Sequence, residues 1–139
     1  MVKVFDETAC ILGEGPLWHP INQCLFWFDI LDKRLFQSTE DGRIIWTFDE
    51  NVSAAGWIDK DHLIIASEKS LRLFDIRTGK HESLIELEKD NPETRSNDGR
   101  ADPFGGFWIG TMGKRAQPNA GAIYRFYKGE LRKLVDKVT

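Results

Sequence analysis

GPLWHPINQCLFWFDILDKRLFQSTEDGRIIWTFD, residues 15–49, falls into four short strands once its turn residues are marked. An apolar piece around Leu17 and Trp18 meets a turn at His19-Pro20-Ile21-Asn22, and the apolar run Cys24 to Asp29 follows. A second turn leads into Arg34 to Ser38, and Glu40-Asp41-Gly42 separates that piece from Arg43 to Phe48. Gly, Asn, Asp and Pro punctuate a chain because they supply unusual φ angles or bond their own backbone, so short apolar runs between them read as strands.

The same four-part unit returns downstream. AAGWIDKDHLIIASEKSLRLFDIRTGKHESLIELE, residues 54–88, repeats the order of strand and turn, and so does the segment from Gly99 to Val135. In each unit the second strand is the most apolar (LFWF, LIIA, FWIG), as for a strand covered on both faces. The fourth alternates polar and apolar residues, as for an outer, half-exposed strand. No stretch of helical length carries a 3.6-residue period with caps, so the chain is all-β. A repeat of about 40 residues with four strands is the size of a propeller blade. A β-sandwich also spaces short strands with turns, but it does not require one four-part unit three times.

The blades are expected at approximately 12–49, 52–89 and 95–137, in a single partial-propeller domain spanning 1–139. Three blades are too few to close a ring, since propellers use four to eight. Both end faces would then expose apolar sheet, which a second chain or self-association would cover. Val2-Lys3-Val4-Phe5 reads as a further strand that would complete a missing last blade.

The bulk composition excludes several classes of function. A net charge of −3 with both signs interspersed gives no footprint for nucleic acid or an anionic membrane. The apolar runs are too short to span a bilayer, and MVKVFDETAC lacks the basic and apolar regions of a signal peptide. Cys10 and Cys24 form no framework, which fits reduced thiols and a cytoplasmic location. His19, His62 and His81 form no cluster with zinc-ligand spacing. Neither a phosphate-binding glycine loop nor a GxSxG elbow is present. Trp18, Trp27, Trp57 and Trp108 are expected to pack between blades. Glu68, just after an inner apolar run, is a candidate for facing the channel, and Asp102 is expected to bond backbone within its own turn.

Two stretches carry a resemblance. ILGEGPLWHP (residues 11–20) and RSNDGRADPFGGFWIGTM (residues 95–112) are similar to the two N-terminal signatures of the regucalcin/gluconolactonase/luciferin-regenerating enzyme family, the senescence marker protein type. LFWFDILDKRLF and GAIYRF fit the same pattern, so the resemblance covers nearly the whole chain. It implies a six-bladed β-propeller of roughly twice this length, of which the chain is the N-terminal half. It also implies one divalent cation, Ca²⁺ or Zn²⁺, in the central channel and a sugar lactone as the small-molecule substrate.

Residue by residue, the family's first metal ligand falls on Glu14, and its substrate-contacting arginine and asparagine fall on Arg95 and Asn97. These types suit their roles: a carboxylate for a hard cation, a forked guanidinium and an amide for carbonyl and hydroxyl groups. The family's remaining two ligands, one of them the general base, lie beyond Asp136-Lys137-Val138-Thr139. A glutamate that touches substrate in animal members is replaced near Lys114-Arg115. The implied function is therefore half of a metal-dependent, gluconolactonase-like hydrolase, with an incomplete cation site, no catalytic base in this chain, and no activity alone. The other reading is a non-catalytic fragment that binds calcium or a partner, or a truncated gene product.

Overall fold

The computed structural model describes residues 1–139 and contains twelve strands and no helix. β1 (Gly13–His19), β2 (Cys24–Asp29), β3 (Arg34–Thr39) and β4 (Gly42–Thr47) form the first antiparallel sheet, in chain order. β5 (Val52–Trp57), β6 (His62–Ser67), β7 (Ser70–Asp75) and β8 (His81–Glu86) form the second. β9 (Thr94–Ala101), β10 (Phe107–Gly113), β11 (Gly121–Tyr127) and β12 (Glu130–Val138) form the third. These are three blades of a six-bladed β-propeller. The tight turns between strands explain the simple meander: a two-strand hairpin needs only a few polar or glycine residues to reverse the chain.

The core lies in the two seams between blades. Phe26, Phe28, Leu35 and Ile30 of the first blade pack with Val52, Leu63, Ile65 and Phe74 of the second. Ala54, Ile64, Ala66 and Leu71 of the second pack with Phe107, Ile109, Ala122 and Tyr124 of the third. Period-two alternation makes this possible, because each sheet presents one set of side chains to each neighbour.

Buried or half-buried carboxylates fasten loops to their own blades. Asp29 is fully buried and accepts the backbone N–H groups of Ile11 (2.9 Å) and Leu12 (3.0 Å), together with the Arg34 guanidinium (2.9 Å). Burial pushes its pKa up, but the N–H donors and Arg34 outweigh burial and hold the carboxyl below its usual range. In the third blade Asp102 closes its own turn by accepting the N–H groups of Phe104 and Gly106, as expected from the sequence. It also receives Trp108 Nε1 (2.9 Å) and Arg125 Nε (2.8 Å), so it ties the turn to β10 and β11. The Arg125 guanidinium, with the backbone donors, holds the Asp102 carboxyl well below the usual range.

Two expectations need correction. Residues 2–5 form no strand. A strand requires a hydrogen-bonding neighbour, and this segment lies instead across the first blade, with Phe5 edge-on to Trp27 at 6.3 Å and Asp6 bonded to Arg43 at 3.1 Å. Of the four tryptophans expected to pack between blades, Trp57 lies against His19 of the first blade at 5.9 Å though 42% exposed, Trp27 stacks on Phe36 within its own blade at 5.1 Å, and Trp18 and Trp108 are 57% and 38% exposed. Trp18 and Trp57 stand at the far ends of innermost strands, and Trp108 lies on the uncovered face of the third sheet. The histidines are structural: buried His19 donates Nε2–H to the Asp59 carbonyl at 2.9 Å and accepts Asn22 N–H at Nδ1. Cys10 and Cys24 are free.

Candidate functional site

β1, β5 and β9 are the innermost strands of their sheets, and they touch one another. Each pairs with its neighbour in the same register near its end: Trp18 opposite Leu25, Trp57 opposite Leu63, Ala101 opposite Phe107. Four residues upstream of Trp18, Trp57 and Ala101 stand Glu14, Ser53 and Asn97. Glu14 pairs with Phe28, whereas Ser53 and Asn97 fall where their ladders are interrupted. All three line a single cavity of about 230 Å³, along with Gly15, Ile30 and Asp98.

A bulge or register shift interrupts the ladder beside each position, between Glu14 and Leu17, between Val52 and Ala54, and opposite Ile109 and Thr111. Bulges re-aim side chains and sharpen strand twist, which suits a polar residue that must leave the blade seam and face the ring axis. Gly15 is part of the same device. Its φ is +61°, and a Cβ there would lie 2.4 Å from the Ser53 carbonyl oxygen and 3.0 Å from the Phe28 ring. Only glycine lets β1 approach β5 so closely while keeping that backbone angle.

Behind the cavity Ser53 Oγ donates to Ser96 Oγ at 2.8 Å, and both serines are fully buried. Arg95 is 7% exposed and has no carboxylate within ion-pair distance. Its Nη1 donates to the Ser96 carbonyl (2.9 Å) and to Asn97 Oδ1 (3.1 Å). Burial lowers the guanidinium pKa, while Glu14 and Glu68 act in the opposite sense. A guanidinium has five N–H donors, so most of those on Arg95 remain for a ligand. Because Asn97 Oδ1 is taken by Arg95, its Nδ2 is left as a donor beside the cavity.

Glu14 is exposed and presents its carboxylate to the cavity. Oxygen donors of this kind suit a hard divalent cation. No group of three His, Cys, Asp or Glu side chains converges in this chain.

The structure thus brings Glu14 and Asn97 to one cavity and sets Arg95 directly behind Asn97. Ser53 and Ser96 were not singled out from the sequence, although superposing the three repeats on Trp18, Trp57 and Ala101 would have aligned Ser53 with Glu14. Asp98, read mainly as a turn residue, does bond the Gly99 N–H at 2.8 Å and also lines the cavity. Glu68 does not line the cavity; it accepts Asn51 Nδ2 (3.0 Å) and pairs with Lys114, so it bridges the second and third blades. Arg115 pairs with Glu93 at 2.9 Å.

Residues 12–139 match the family described as the SMP-30/gluconolactonase/LRE-like region. This chain belongs to that family. Within the SMP-30/gluconolactonase/LRE-like group it is 33% identical to the L-arabinolactonase of Azospirillum brasilense, with 86% of this chain and 41% of that protein covered. It is also 33% identical to the 6-deoxy-6-sulfogluconolactonase of Pseudomonas putida, over 89% of this chain and 43% of that protein. A calcium-binding protein, regucalcin, from Agrobacterium tumefaciens superposes with a TM-score of 0.91 at 40% identity, covering 95% of this chain and 45% of the other. A luciferin-regenerating enzyme shares the fold, with a TM-score of 0.85 at 22% identity. The chain spans less than half the length of the curated relatives it matches.

Proposed function

We infer that this chain furnishes the first half of the channel of a metal-dependent sugar-lactone hydrolase. The supporting observation is that Glu14, Ser53 and Asn97, from the innermost strands of three blades, meet at one cavity, with the buried Arg95, which no carboxylate pairs, behind them. A buried cation without a counter-charge is costly unless a ligand satisfies its donors. A lactone supplies what these groups recognise: a carbonyl and ring hydroxyls for the Arg95 fork and the Asn97 Nδ2–H. Because the Ser96 carbonyl and Asn97 Oδ1 fix the guanidinium plane, it is already oriented when substrate arrives. Glu14 would contribute one oxygen ligand to a divalent cation, with the other ligands and the water-activating carboxylate supplied from outside these residues.

The test is a chimera that joins this chain to the part of the Azospirillum L-arabinolactonase beyond its match here. L-arabinolactone hydrolysis that depends on added Ca²⁺ or Zn²⁺ is expected. Glu14→Gln and Arg95→Ala should each lower kcat/KM by a factor of about 10² or more. The 139-residue chain alone should show no turnover above the spontaneous rate. Full activity in the Glu14→Gln chimera, or turnover by the isolated monomer, would overturn the assignment.

A further inference from the structure

Glu88, in the loop between β8 and β9, gathers three hydroxyl groups. Its Oε2 accepts Thr94 Oγ1–H (2.5 Å), and its Oε1 accepts Thr111 Oγ1–H (3.1 Å) and Tyr124 O–H (2.7 Å). The donors come one each from β9, β10 and β11, and all are buried. An ionised carboxylate only accepts, so it suits a place where hydroxyls converge. No cation answers it: the ion pairs nearby run through Glu68, Glu86 and Glu93. The loop holds it in place. Leu87, fully buried in the same seam, donates its N–H to the Lys69 carbonyl (2.9 Å), and Asn91 N–H returns to the Glu88 carbonyl (2.8 Å). Glu88 itself has φ +45°, a left-handed conformation that is uncommon for a residue with a side chain and persists where the surroundings fix it.

The hydroxyls mark particular rungs of the third sheet. Arg95 pairs with Met112; Thr94 stands in the rung before it, opposite Gly113, and Thr111 in the rung after it, opposite Ser96. Glu88 therefore grips both strands, one on each side of the Arg95 rung. Beyond Ser96 the ladder breaks and resumes at Gly99, so residues 94–96 form a short patch set off from the rest of β9 by the interruption that holds Asn97. Both acceptors of the Arg95 guanidinium, the Ser96 carbonyl and Asn97 Oδ1, lie in β9 itself. The guanidinium thus goes where this patch goes. Outside the ladder to β10, the side chains that fasten the patch to the second blade are Ser53, through Ser96, and Glu88, through Thr94. We propose that Glu88 is a positioning residue for Arg95: it holds the rungs around Arg95 and so fixes where the guanidinium sits beside the cavity. A displacement of about 1 Å in an orienting group is enough to lower a rate by about 10². That Arg95 meets a lactone rests on the reading above; that Glu88 places it does not.

A readout without substrate separates Glu88 from the lactonase reading. In the isotope-labelled 139-residue chain, Arg95→Lys identifies the Arg95 Nε–H resonance, whose hydrogen exchange is then followed by NMR. Glu88→Ala should speed that exchange by a factor of about 10. Thr94→Val keeps the side chain's shape, deletes the hydroxyl and should give a smaller acceleration. The combined variant should be no faster than Glu88→Ala, since Thr94 then has no carboxylate to lose. Glu88→Gln keeps one acceptor oxygen and should fall between the original chain and Glu88→Ala. Leu35→Ala empties a fully buried position in the seam between the first and second blades and should leave Arg95 exchange as it was. Thermal melting by circular dichroism shows which variants are folded, and Thr94→Val decides where Glu88→Ala is not. In the chimera, Glu88→Ala should lower kcat/KM about tenfold and should add nothing on top of Arg95→Ala. Unchanged Arg95 exchange in the deciding variant, equal acceleration by Leu35→Ala, or a full additional loss on top of Arg95→Ala would each overturn the assignment.

Discussion

The third sheet has two faces built from the same alternation, and they have opposite fates. Toward the second blade it sends Phe107, Ile109, Ala122 and Tyr124, all buried. Away from it stand Trp108, Arg125 and Tyr127 beside an open groove. Both faces carry large aromatic residues, Phe107 and Tyr124 on one and Trp108 and Tyr127 on the other. What separates them is a neighbour: only the first face has a sheet to fill its spaces, and hydrophobic stabilisation follows area removed from water. The polar groups behave likewise. Against the second blade, Glu88 accepts the hydroxyls of Tyr124 (2.7 Å) and Thr111 (3.1 Å), and burial together with that carboxylate pushes the Tyr124 pKa up. On the open face, Arg125 lies over the Tyr127 ring at 4.6 Å, in contact with solvent.

The contrast can be broken most severely from the covered side. Ile109→Ala empties a fully buried position and should cost about 2–5 kcal/mol in urea unfolding, whereas Leu134→Ala on the open face should change stability by less than about 0.5 kcal/mol. Equal losses at the two sites would mean that the open face is covered in solution.

Asp29→Ala should come next, at about 3 kcal/mol, because it strands the N–H groups of Ile11 and Leu12 and leaves Arg34 without its buried partner. Titration sharpens the same point. Asp29 and Asp102 both have folded pKa values below the unfolded one, so the folded chain binds fewer protons in the acid range. Stability should be flat above about pH 5 and should fall as pH drops through about 4 and below. Replacing Asp29 with Asn should flatten that decline in a series of urea midpoints.

Gly15→Ala tests the approach of β1 to β5, since it adds strain at φ +61° and a contact of 2.4 Å with the Ser53 carbonyl. A loss of about 2 kcal/mol is expected by thermal melting, together with altered geometry around Glu14. Ser96→Ala should have the smallest effect, about 1 kcal/mol, because it removes one neutral hydrogen bond at the seam between the second and third blades. A double Ser53→Ala/Ser96→Ala chain should recover part of that loss, since no buried hydroxyl is then left unpaired.

Much of the molecule was legible without coordinates. The fourfold strand unit, its three copies and its polar turns follow from where Gly, Asn, Asp and Pro interrupt apolar runs, and those local rules do not depend on distant contacts. The motif around Glu14, Arg95 and Asn97 was legible as well. Ser53 was not singled out, because a serine in an apolar strand looks like any other until its place in the cavity and its bond to Ser96 are seen. The exposure of Trp18 and Trp57 was missed for a related reason: a large aromatic residue in a strand is buried only if another sheet lies over it.

Sequence by itself determined the blades, because turn chemistry and period-two alternation act over a few residues. Tertiary structure decided which face of each blade is dry, which polar side chains reach the axis, and that Arg95 is buried without a carboxylate partner. Those outcomes depend on the packing of residues forty positions apart, where burial and charge are set by neighbours that no local pattern names.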